Sequence, residues 1–145
     1  MKTVKITLLD VIEAKQIAEE VGQLKFRNPK ITYRFGKALR QIKAEAKEFD
    51  ERRNELVVDA GMPEQNSPEF IKFQESGKLK ELENKVDELL DEEVELRVAP
   101  IPYDLVANEE PGTFSVKIFL TFWFMFEDEE DDNEDNEDEP SEQSV

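Results

Sequence analysis

The sequence predicts a mainly α protein with a minor β part: an antiparallel helical hairpin, a short N-terminal helix, a small two-stranded ribbon and a disordered acidic C-terminal tail. Three observations predict it. Apolar residues recur at heptad spacing in two segments joined by a short, proline-bounded connection. Two further segments alternate polar and apolar residues, the period of a half-buried strand. The last 19 of the 145 residues hold 12 acids and no base. The whole chain has 36 Asp and Glu against 19 Lys and Arg, a net of −17. Residues 1–126 therefore keep 24 acids and 19 bases, a net of −5, as expected of one mildly acidic helical domain.

Taken in order, residues 3–8 read Thr-Val-Lys-Ile-Thr-Leu and predict the first strand. Leu9, Ile12, Ile17 and Val21 then fall at helical spacing, and Gly22 stops them. Residues 23–30, with Asn28-Pro29, read as a connection. The longest helix is predicted over residues 32–60. Phe35, Leu39, Ile42, Ala46, Phe49 and Leu56 form a heptad stripe interrupted at Arg53, with Thr32 as N-cap and Gly61 before Met62-Pro63 as the stop. Ser67-Pro68-Glu69 supplies an N-cap, a proline at the first helical position and an early acid. A short helix containing Phe70, Ile71 and Phe73 starts there and is interrupted at Ser76-Gly77. Leu79, Leu82, Val86 and Leu89 carry a second stripe to about residue 93, and two such stripes joined this way form a hairpin.

Val94, Leu96 and Val98 alternate as a second strand, which Pro100 and Pro102 end. A lone two-stranded ribbon is marginal in water, so it must pack on the helices. Residues 99–113 read as an extended connection. Residues 114–126 are the most apolar piece of the chain and are ambiguous. Their aromatics favour a strand, whereas Ser115 as N-cap, with Ile118, Phe119, Phe122, Trp123 and Phe126 on one side, favours a helix. Helix is the preferred reading, and either structure demands burial in the fold or against a partner. Residues 127–139 contain 11 acids and two Asn with nothing apolar to bury, which predicts disorder from 127 to 145.

The composition limits the chemistry. There is no Cys and no His, which removes disulfides, thiolate sites, thiol nucleophiles and the commonest general base. No acid pair lies in an apolar stretch of sequence, the setting that raises a carboxyl pKa. The five glycines are too scattered for a phosphate-binding loop. The tail lacks the pattern of a calcium loop. The chain is thus read as non-enzymatic, with no catalytic, cofactor-binding or metal-binding residue and no cofactor. Asp10 and Glu13 break the early apolar run, so no signal peptide is expected. The longest apolar stretch is 13 residues and includes Lys117, too short for a membrane span of about 20.

Charge is unevenly shared between the predicted helices. Residues 23–53 carry ten bases and four acids, whereas residues 78–95 carry eight acids and three bases. Lys37, Arg40 and Lys47, with Arg34 nearby, lie opposite the heptad stripe. Three readings are open for this strip: a solvated face with Arg52 and Arg53 paired to the acidic helix, a surface for an acidic partner, or a bed for the protein's own tail. Direct nucleic-acid binding is disfavoured by the repulsive net charge. The tail itself reads either as a solubilising bristle or as a mimic of one nucleic-acid strand. An extended chain spaces its acids about 3.4 Å apart, and duplex DNA carries one charge per about 1.7 Å of axis.

Residues 31–98 resemble a family of small helical proteins of tailed bacteriophages. The likeness rests on Ile31-Thr-Tyr-Arg-Phe-Gly-Lys-Ala-Leu, on Phe49-Asp-Glu-Arg-Arg-Asn-Glu-Leu and on Leu89-Leu-Asp-Glu-Glu-Val-Glu-Leu. It implies a helical hairpin followed by a short strand and a phage origin, and it transfers no functional residue; the host cytoplasm is the expected place of action. That family also commonly ends in a short apolar helix around a Trp or Leu followed by acids, comparable here to residues 119–128, although this chain's aromatic run is richer and its tail longer. The expected function is an accessory protein that binds a protein, a host factor that it inhibits, with help from the acidic tail. The alternative is a virion assembly chaperone or minor structural protein of the head or tail. Candidate partner-binding residues are Arg34, Lys37, Arg40, Lys47, Phe119, Phe122, Trp123 and Phe126. Self-association through the heptad stripes is left open.

Overall fold

The structure, a computed structural model, describes residues 1–127. The predicted tail from residue 128 onward lies outside the described residues. Strand β1 (Lys2–Thr7) pairs antiparallel with β2 (Glu93–Val98), with Lys2 opposite Val98 and Thr7 opposite Glu93. The two-residue pleat period sends Val4 and Ile6, with Val94, Leu96 and Val98 across from them, to the core side. Lys2 shares that side at its edge.

At Thr7 the chain turns directly into α1 (Leu8–Gln16) through a capping box. The Thr7 hydroxyl accepts from the Asp10 N–H, and Asp10 accepts from the Thr7 N–H at 3.1 Å. A break at Ile17 separates α1 from α2 (Ala18–Gly22). The buried face is Val11, Ala14, Ile17, Ala18 and Val21, whereas Leu9, assigned by spacing to the inner face, is exposed.

Helix α3 (Pro29–Ala60) has 32 residues, about 48 Å at 1.5 Å per residue. It begins three residues before the position its apolar stripe suggests. Asn28 is the N-cap, its side chain accepting from the Lys30 N–H at 2.9 Å, and Pro29 occupies the first turn. The pair read as a connection is therefore a start signal, and Thr32 lies inside the helix. Gly61 ends the helix with φ +67°, a backbone conformation that glycine adopts without a Cβ penalty.

Helix α4 (Pro68–Glu75) is capped by Ser67, whose hydroxyl accepts from the Phe70 N–H. Helix α5 (Lys78–Leu90) then returns antiparallel along α3. Leu56, Asp59 and Ala60 share a cleft with Lys78, Glu81 and Leu82, and Arg52 approaches Glu92 just beyond α5 at 3.7 Å.

The hairpin is present, but its two seams are not the main core. Ile31, Phe35, Ala38, Leu39, Ile42 and Ala46, all within residues 31–46 of α3, pack with α1, α2, the inner side of the ribbon and the C-terminal aromatic segment. Beyond Ala46, only Phe49, Phe73 and Leu82 are fully buried among α3, α4 and α5, and Leu79, Val86 and Leu89 are half-buried. Arg53, at the interrupted heptad position, is exposed with its guanidinium 5.6 Å from the centre of the Phe49 ring. The hairpin is thus an arm extending from a core formed elsewhere.

The stretch expected to be extended contains β3 (Ile101–Pro102) and α6 (Tyr103–Ala107). The aromatic stretch divides into α7 (Val116–Thr121), a 3-10 turn (Trp123–Met125) and β4 (Phe126–Glu127), which pairs parallel with β3. Ser115 caps α7 as expected, accepting from the Ile118 N–H at 3.2 Å, but one helix does not span 114–126. Glu127, grouped with the tail by its charge, is buried and bound to Lys2 at 2.8 Å.

Candidate protein-binding surface

The basic strip divides when the helix is placed. Arg34 is 4% exposed, and its guanidinium donates to the carbonyl of Pro100, joining α3 to the turn before β3. Its assignment as a contact residue is corrected: burial and this bond make it part of the framework. Lys37 and Arg40 line a shallow open cleft of about 520 Å³ with Met1, Gln41 and Arg97. The Lys37 ammonium donates to Met1 Sδ at 3.0 Å and lies 5.7 Å from the centre of the Tyr33 ring. Gln41 fixes the floor of the cleft. Its amide donates to the Arg97 carbonyl at 2.6 Å and accepts from the Arg97 N–H at 2.9 Å, satisfying the open edge of β2. Lys47 is exposed two turns further along and does not line the cleft. Of the two arginines expected to meet the acidic helix, Arg52 reaches Glu92 and Glu48, whereas Arg53 pairs with Asp50 on its own helix.

The aromatic candidates separate in a similar way. Phe122 and Phe126 are buried beside Phe35, with ring centres 5.5 and 6.1 Å from it, so they build the core and cannot be a contact surface. Phe119 is half-buried between Phe114 and Phe126. Trp123 is the exception, at 51% exposed.

A residue pair that sequence reasoning passed over completes the exposed face. Val116 is 73% and Leu120 72% exposed, and with Trp123 they stand at i, i+4 and i+7. Val116 and Leu120, one turn apart, share a side of α7 opposite buried Ile118, and Trp123 is exposed on the 3-10 turn that follows buried Phe122. The spacing was legible, but reading 114–126 as one helix put Trp123 on the buried side. Lys117 flanks the face and approaches Glu20 at 4.0 Å, an exposed pair of little energetic weight. The acidic segment starts just beyond, at residue 128.

The chain matches no family model, no curated protein and no solved structure.

Among the described residues, no group of three or more Asp or Glu is placed to hold a metal ion, and no helix is long and apolar enough to cross a membrane. The exposed apolar residues at and after α7 and the basic cleft are two surface features among the described residues.

Proposed function

We propose that this is a non-enzymatic phage accessory protein that acts by binding a protein in the host cytoplasm and inhibiting it. The observation that carries this reading is the Val116–Leu120–Trp123 face. Val116 and Leu120 stand in water on α7 and Trp123 on the 3-10 turn that follows it, while Ile118 and Phe122 between them are packed in the core. Such side chains gain about 25 cal/mol for each Å² removed from water, and an exposed Trp is the residue type most enriched at binding hot spots. The adjoining segment 128–139 adds ten acids. The partner that fits is a protein with an apolar pocket rimmed by Lys and Arg, toward which the polyacid steers encounter. The resemblance over residues 31–98 supports the phage origin.

The test compares capture from host cytoplasm by the intact chain and by Trp123→Ala, Leu120→Glu and, as a surface control, Lys43→Glu. One host protein retained by the intact chain and the control, and lost by the other two, is expected. Equal retention by all four removes the reading. A second reading, virion assembly, is favoured by the same face because apolar contact alone suffices there. Mass spectrometry of purified particles separates the two: presence in the particle supports assembly, and absence supports accessory action.

A further inference from the structure

The cleft between α3 and the end of β2 has a chemistry the apolar face does not use. Lys37, Arg40 and Arg97 border it, and none has an acidic partner within ion-pair distance among the described residues. Two of the three come from α3 and one from a strand more than fifty residues later. The doubled Gln41–Arg97 backbone bond holds them together, so the cationic rim is built by the fold and is not a run of neighbouring lysines.

The route of the chain points to the occupant. Glu127 is the last described residue, held at 2.8 Å by Lys2. Lys2 adjoins Met1, which lines the cleft, and Thr3 lies opposite Arg97 in the ribbon. The chain therefore leaves the described fold beside Lys2, one residue from Met1 at the edge of the cleft. Residues 128–139 comprise ten acids and two Asn. Twelve extended residues reach about 40 Å, enough to cross the cleft with acids to spare. A foreign polyanion is poorly placed to compete. It meets a net charge of −17, whereas the tethered segment is present at an effective concentration on the order of millimolar.

We propose that the acidic segment 128–139 docks in cis on the cleft formed by Lys37, Arg40, Gln41 and Arg97. The segment then has two competing destinations, its own cleft and the basic rim of a partner. Binding in cis keeps it from capturing basic surfaces indiscriminately. The inference is independent of the apolar face and of the identity of any partner.

Two measurements on the full-length chain test it. In the first, carboxyl-to-amine crosslinking is mapped by peptide mass spectrometry at low protein concentration. Residues 128–139 are expected to join Lys37 well above Lys43 and Lys47, two exposed lysines on the same helix, and the preference is expected to vanish in high salt. Equal crosslinking of the three lysines overturns the proposal. In the second, a fluorescent deca-aspartate peptide is titrated onto the intact chain and onto a full-length variant with the ten acids of 128–139 changed to Asn or Gln. Displacing a tethered competitor predicts about tenfold tighter binding to the variant, and that gain is expected to disappear on adding Arg40→Ala and Arg97→Ala. Equal affinity of the two chains overturns the proposal and assigns the cleft to a foreign polyanion or to none.

Discussion

Glu109 is 7% exposed, yet it carries a carboxylate, and its surroundings explain why. One oxygen accepts from the Arg27 N–H at 2.6 Å and the other from the Asn28 N–H at 3.1 Å, while Arg27 also pairs with Glu110. A side chain more than eighty residues away thus satisfies backbone donors at the start of α3, where the helix dipole favours a negative charge. Glu109→Ala removes both bonds and leaves the donors in a partly closed site. It is expected to cost about 1.5–3 kcal/mol in chemical denaturation. Phe35 is a second residue with several roles: its ring lies 5.7 Å from Phe26, 6.2 Å from Phe114 and 5.5 Å from Phe122. Phe35→Ala opens a cavity where three segments meet, and a loss of about 3–5 kcal/mol is expected. Trp123→Ala separates stability from contact. Half of the side chain is already in water, so a loss under about 1 kcal/mol is expected in the same denaturation assay, together with loss of partner capture.

At the scale of elements, α3 is one continuous helix with two environments. Residues 31–46 pack in the main core with four other segments, whereas no α3 residue beyond Ala46 belongs to that core and the end of the helix lies against α5. Opening free energy follows buried apolar contact. Amide hydrogen exchange is therefore expected to be faster by an order of magnitude or more in residues 50–60 and in α5 than in residues 34–46. Uniform protection along α3 would contradict the division. Gly61→Ala belongs to this scale as well. It places a Cβ at φ +67°, and a loss of about 1 kcal/mol is expected, confined to the arm.

For the whole molecule, charge is the organising variable. Body and tail are both acidic, but the fold gathers Lys37, Arg40 and Arg97 on one side, beside the exit of the chain at Glu127. The Lys2–Glu127 pair closes that exit. Glu127 Oε1 is buried with no hydrogen-bond partner among the described residues, so the carboxylate depends on the Lys2 ammonium. Lys2→Met leaves it without that contact. Because Lys2 is itself about two-fifths exposed, the expected loss is about 1–2 kcal/mol, below that of a fully buried pair. The loss should appear as a lower denaturation midpoint with an unchanged slope.

The local punctuation of this chain was readable without coordinates: the stops at Gly61 and Gly77, the caps at Ser67 and Ser115, and the two alternating strands. These features depend on backbone conformation and side-chain groups only a few residues apart, so they are written where they act. The sequence also determined the mainly α class with its small β part, because two heptad stripes leave few other arrangements. Which apolar residues reach the centre was not legible in this way. Heptad spacing says that Phe35 and Leu56 share a stripe, but not that α1, the ribbon and the aromatic segment all converge on the first while the second lies against α5. The same holds for Arg34 turning inward to Pro100, and for Arg97 meeting Lys37 and Arg40. Burial and charge clustering are properties of several segments at once, and only the tertiary structure decides which segments meet.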